Sequence, residues 1–212
     1  MPSTDAETGK FISAKEHYDL LIAEGNDPVL DPPELAAYMD GWDGEALLDA
    51  LRIQPDSRVL EIGVGTGRLA IRVLKRGCGR FTGIDLSEAT IQAARGHLAS
   101  FPNATLLAGE FPGEAPDGPF DRIYSSLTFL HIAKKREACQ KIASLLADGG
   151  RCVISLDQEQ SDVLDMGSRK VRTYPDRPEE IERFLRQSGL CVRPAVKLER
   201  AYLIIADAHS KC

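Results

Sequence analysis

The run Arg-Val-Leu-Glu-Ile-Gly-Val-Gly-Thr-Gly-Arg-Leu-Ala at residues 58–70 constrains this chain more than any other stretch. Val59, Leu60 and Ile62 form an apolar run that stops at glycines, and Leu69, Ala70, Val73 and Leu74 then recur at helical spacing. The stretch reads as strand, tight turn, helix. Gly63, Gly65 and Gly67 can take positive φ and carry no Cβ, so a ligand can approach the backbone where the first N–H groups of a helix are still unpaired.

A second apolar run, Phe81 to Ile84, ends on Asp85, about 20 residues after the glycines, where an acid can accept both hydroxyls of a ribose. The plain alternative is a turn acid at a strand end. The spacing also bears on the ligand. A dinucleotide fingerprint places a third glycine at the sixth position, counted from Gly63, where this chain has Arg68.

With Glu61 two residues before the first glycine, the block Glu-Ile-Gly-Val-Gly-Thr-Gly resembles the first motif of the class I S-adenosylmethionine (SAM)-dependent methyltransferases. Phe120-Asp121 resembles the second motif of that family, and Leu-Ala-Asp-Gly-Gly-Arg at 146–151 resembles the third, with Ala147-Asp148 in place of the usual Lys-Pro. The resemblance runs in order from residue 59 to 206. It implies a doubly wound (Rossmann-like) α/β sheet of seven strands in the order 3-2-1-4-5-7-6, with the last strand antiparallel. It implies SAM as cofactor, its amino-acid end at Gly63, Gly65 and Gly67 and its ribose at Asp85-Leu86. The adenine would lie at Glu110-Phe111, where the family usually has Asp, and the methionine part beside Ser125, Ser126 and Leu127. Base-methylating relatives carry an Asn/Asp-Pro-Pro-Tyr-like element at that last position, and Ser126-Leu127-Thr128-Phe129 is unlike it.

The 212 residues suit one structural domain, read as an N-terminal arm and helical lid at 1–54 and a SAM-binding core at 55–212. The net charge of −6 and the absence of a basic run longer than Lys134-Lys135-Arg136 speak against a nucleic-acid partner and favour a small-molecule methyl acceptor. No apolar stretch approaches the roughly 18 residues of a membrane span, and the start lacks a signal pattern, so a cytoplasmic location without membrane partners is expected. The five cysteines and four histidines show neither disulfide nor ligand spacing, so they imply no metal, and the cysteines read as reduced packing residues.

Residues 1–13 read as a mobile arm. Tyr18, Leu21 and Ile22 mark a helix at 14–23 that packs over the cradle, and Tyr18-Asp19 resembles a lid element of the family. Asp31 with Pro32 and Glu34 starts a second short helix, and Asp43 a third with Leu47, Leu48 and Leu51 inward. Tyr18, Tyr38 and Trp42 read either as packing residues or as an aromatic wall around the sulfonium of the cofactor.

Ser87 is an N-cap candidate, residues 104–108 a third strand and 120–125 a fourth. His131 is the one histidine placed to act as a general base, with a packing histidine as the alternative. A helix at 135–147 and a fifth strand at 151–156 follow. The stretch 157–174 reads as a loop, with Arg169, Lys170 and Arg172 either solvated or facing an anionic group. Asp176 with Glu179 resembles a cap for the last helix, and residues 190–198 and 201–206 pair antiparallel. Two rivals remain: a SAM-binding sensor or scaffold without turnover, and an NAD(P)-dependent oxidoreductase, which Arg68 disfavours.

Overall fold

The computed structural model describes residues 9–208. Most of the expected N-terminal arm, together with His209 and Cys212, lies outside the described residues. In chain order the elements are β1 (Lys10–Ile12), α1 (Ala14–Ala23), α2 (Pro33–Met39), α3 (Gly44–Leu51), β2 (Arg58–Ile62), α4 (Arg68–Lys75), β3 (Arg80–Asp85), α5 (Glu88–His97), β4 (Ala104–Ala108) and β5 (Phe120–Ser126). A 3-10 turn (Phe129–His131) then leads to α6 (Lys135–Leu145), β6 (Leu146–Asp157), β7 (Val163–Asp165), β8 (Arg169–Arg172), α7 (Pro178–Gln187), β9 (Leu190–Val192), β10 (Val196–Lys197) and β11 (Ala201–Ala208).

The main sheet runs β4-β3-β2-β5-β6-β11, with β9 and β10 both on β11. Strands β4 to β6 of this path are parallel, and β11 is antiparallel to β6 and to both short strands. Among the described residues the sheet has eight strands, against an expectation of seven. The cause is Pro194, which has no N–H to give to a ladder and divides residues 190–198 into two short strands.

Alternate residues of each central strand enter opposite layers, as a doubly wound sheet requires. Leu60, Ile123 and Ile154 pack with Ala138 and Ile142 of α6 and Ile181 and Leu185 of α7. Val59, Tyr124 and Val153 pack with Leu47 and Leu51 of α3 and Val73 of α4. Helix α3 is thus a core helix by burial, and only the segment before it lies over the cradle.

Five further expectations are corrected. Lys10, Phe11 and Ile12, read as part of the arm, form β1 beside β8, and the expected loop 157–174 folds into the β7–β8 hairpin, making a separate three-stranded sheet. Strand β6 starts at Leu146, which pairs with Phe120, so Gly149-Gly150 lie inside an irregular strand start instead of before it. Asp31 does not cap α2, whose N-cap is Pro32 without a side-chain bond. Asp176 does not cap α7 either; Arg177 holds that position, and Asp176 is buried against Lys135 at 2.5 Å. Among the described residues no helix is long and apolar enough to cross a membrane.

Candidate active site

A cavity of about 270 Å³ opens at the C-terminal ends of β2, β3 and β5, the crevice where the strand order reverses. Glu61, Gly63, Gly65, Asp85, Leu86, Glu110, Phe111, Ser126, Leu127, His131 and Tyr18 all line it. Two expected contacts do not. Ser125 is fully buried and its hydroxyl donates to the Ile62 carbonyl at 2.9 Å, bracing β5 against β2. Gly67, at φ +102°, starts α4 behind the wall.

The glycine turn is held from two sides. Gly63 sits at φ +77°, and a Cβ there would lie 1.9 Å from Thr128 Oγ1, so no side chain fits between the turn and residue 128. Gly65, at φ +56°, has nothing within 4 Å of its Cβ direction, leaving the turn open to the cavity. Asp85 Oδ2 accepts from Gly65 N at 2.9 Å and Oδ1 from Ser87 N at 3.0 Å. Asp85 thus props the turn, and each of its oxygens keeps a further lone pair. Burial pushes its carboxyl above the usual range, against the pull of the backbone N–H groups.

Glu61 is 3% exposed and accepts from Tyr124 Oη at 2.6 Å. Burial drives its carboxyl well above the usual range, while the Tyr124 bond and the Arg68 charge oppose the shift. Arg68 itself lines the cavity, paired with Asp43 at 2.5 Å and Asp40 at 3.3 Å.

At the far end, Tyr18 Oη and His131 Nε2 share a hydrogen bond of 2.8 Å, joining α1 to the 3-10 turn. His131 Nδ1 is buried without a partner. Burial, with the charges of His17 and Lys135 adding to it, lowers the imidazole to about 4, so it is neutral at physiological pH. Burial raises the Tyr18 phenol, with Asp85 adding to the shift.

The aromatic-wall reading of Tyr38 and Trp42 is not what the structure shows. Neither lines the cavity; they meet edge to face at 5.2 Å, and the Arg200 guanidinium lies 4.2 Å and 5.1 Å from their rings. The basic cluster also turns to structural partners: Arg169 binds Glu24 at 2.6 Å and His17 at 3.0 Å, Lys170 meets Asp165 at 3.2 Å, and Arg172 lies over Phe11. Sequence reasoning missed Arg68, Thr128 and Met39 in the wall. In the sequence Arg68 stands out only as a poor fit to a dinucleotide motif.

The cleft lies at the parallel strand ends of a doubly wound sheet. Residues 59–150 match the methyltransferase domain family. That stretch, from β2 to the start of β6, is thus similar to a methyltransferase domain. The chain is 35% identical over 103 residues to the ribosomal protein L11 methyltransferase of Burkholderia mallei, covering 49% of this chain and 33% of that one. An uncharacterized methyltransferase of Bacillus licheniformis is 35% identical over 117 residues, 53% of each chain. The chain thus spans about a third to a half of the curated relatives it matches. The N-methyltransferase NodS of Bradyrhizobium japonicum, solved with S-adenosylhomocysteine, is similar in fold, with a TM-score of 0.70 at 18% identity over 92% of this chain and 97% of that one.

Proposed function

We propose that the protein transfers the methyl group of SAM to a nitrogen, oxygen or sulfur of a small acceptor. The observation that carries this reading is the open glycine turn at Gly65 propped by the half-buried Asp85. The residues present fit the cofactor: a cradle without side chains, an acid for ribose hydroxyls, and Glu110-Phe111 in the wall for a base. When bound, SAM supplies an electrophilic methyl group on a sulfonium. Glu61, Ser126 and Arg68 would hold its amino-acid end, and Asp85 its ribose. The acceptor would enter beside Tyr18, Met39 and His131, where His131 can take the acceptor's proton at Nε2 once the acceptor displaces the Tyr18 hydroxyl from it. Most of the catalytic effect then comes from positioning and exclusion of water.

Calorimetry tests the reading. SAM and S-adenosylhomocysteine should bind and NAD should not, and Asp85→Ala should weaken SAM by about 5- to 150-fold, the loss of about 1–3 kcal/mol from unpaired donors. NAD binding without SAM binding would overturn the assignment, and a folded Asp85→Ala protein with full affinity would leave Asp85 as a turn prop only.

A base lowered to about 4 must be unprotonated to work, so turnover should be flat above about pH 5 and fall as pH drops through about 4. His131→Ala should lower kcat by about tenfold, less than the usual 10²–10⁴, because so weak a base has little driving force, and the acid limb should vanish. An unaltered profile in the variant would assign His131 to packing.

The segment 14–43 would act as a lid. Its bonds to the body include Asp19 Oδ1 with Ser87 Oγ at 2.7 Å and Asp27 with His97 at 2.6 Å, and α2 has no buried residue. Its amides should gain hydrogen-exchange protection when S-adenosylhomocysteine binds. Equal protection in both states would make it a fixed wall.

A further inference from the structure

Asp43 belongs to the segment before α3, yet its carboxylate works inside the cleft wall. Its side chain is wholly buried, and Oδ1 accepts from Gly44 N at 2.5 Å. Oδ2 accepts from two residues on either side of the glycine turn: Ser126 Oγ at the end of β5, at 2.6 Å, and Arg68 Nη2 at the start of α4, at 2.5 Å. Both donors line the cavity, and Asp43 stands behind them.

The chemistry of the three groups fixes a polarity. A serine hydroxyl has one hydrogen, and here it goes to Asp43, so Ser126 Oγ can present only lone pairs to the cavity. A guanidinium has five N–H groups. Two are tied to Asp40 and Asp43, and the rest of Arg68 remains a donor. Without Asp43 the hydroxyl could rotate and present its hydrogen, and the long Arg68 side chain would regain its rotamers. An α-amino acid is the complement of this arrangement, with an ammonium that donates and a carboxylate that accepts.

We propose that Asp43 is a positioning residue: it sets the polarity of a socket, made by Ser126 and Arg68, that recognises the zwitterionic amino-acid end of the cofactor. The proposal rests on the SAM reading above. It also gives the leader a role in cofactor recognition, separate from any closing motion.

Two ligands test it. S-adenosylhomocysteine carries the amino-acid end, and 5′-methylthioadenosine has the same adenosine without it. In Asp43→Asn the amide oxygen can still accept from Gly44 N–H, but nitrogen replaces one acceptor oxygen. The variant should bind S-adenosylhomocysteine about tenfold or more weakly and 5′-methylthioadenosine within about twofold of the parent protein. If thermal melting shows that Asp43→Asn does not fold, Ser126→Ala carries the test, with a selective loss of about threefold or more. Equal weakening of both ligands, or an unchanged ratio, would overturn the proposal and leave Asp43 as a structural cap. A parent protein that binds neither ligand would overturn the SAM reading and the proposal with it.

Discussion

Lys135→Met should destabilise the protein by about 3–5 kcal/mol, because it strips the partner from a buried carboxylate. The Lys135 and Asp176 side chains are 9% and 2% exposed and meet at 2.5 Å. Lys135 Nζ also donates to the Phe129 carbonyl, so the same ammonium ties α6 and the segment leading into α7 to the turn that carries His131. For a chain of this size the loss corresponds to a fall in Tm of about 6–20 °C.

The pH dependence of that loss identifies its cause. Burial already raises the Asp176 carboxyl in the parent protein, and Lys135 holds it back. Without the lysine the folded-state pKa rises further above the unfolded value. Between those two values the folded state binds the extra proton, so the variant loses stability as pH rises and regains it as pH falls toward about 4. Denaturant unfolding at several pH values would show the gap between variant and parent narrowing in acid. A constant gap would trace the loss to packing, and a loss below about 1 kcal/mol would mean that water reaches Asp176.

Local signals made part of this molecule readable. Gly63, Gly65 and Asp85 lie in two strand–turn units, each with an apolar run and a chemical punctuation mark, and the cavity forms around them. Residues that act across the fold gave no such signal. Asp43 reads as an ordinary helix cap, which it is, but its bonds to Arg68 and Ser126 span 25 and 83 positions. Strand β1 has three residues, too few for a period of two to show, and its partner β8 lies about 160 positions away. Asp176 carries the right spacing for a cap and is instead drawn inward by Lys135. Burial decides its role, and burial is a property of the assembled layers.

Gly63→Ala should lower affinity for S-adenosylhomocysteine by at least about 30-fold, equivalent to about 2 kcal/mol, for two separable reasons. The backbone at φ +77° costs a residue with a Cβ roughly 1–2 kcal/mol. The new Cβ would also lie 1.9 Å from Thr128 Oγ1, 2.6 Å from Cγ2 and 2.7 Å from Cβ of the same residue, so overpacking adds about 1–3 kcal/mol. Thr128 cannot move freely, since its hydroxyl is bonded to the Ser126 carbonyl at 3.0 Å in the cavity wall. The turn must shift instead, and it carries Gly65 N–H away from Asp85. A double-mutant cycle with Thr128→Gly separates the two causes. Removing the threonine side chain relieves the contact but not the φ requirement, so the double variant should recover about 1–3 kcal/mol relative to the sum of the single losses. Additive losses would assign the whole effect to the backbone. Full affinity in Gly63→Ala would show that the ligand does not depend on this turn, and the cradle would have to be sought elsewhere in the cleft.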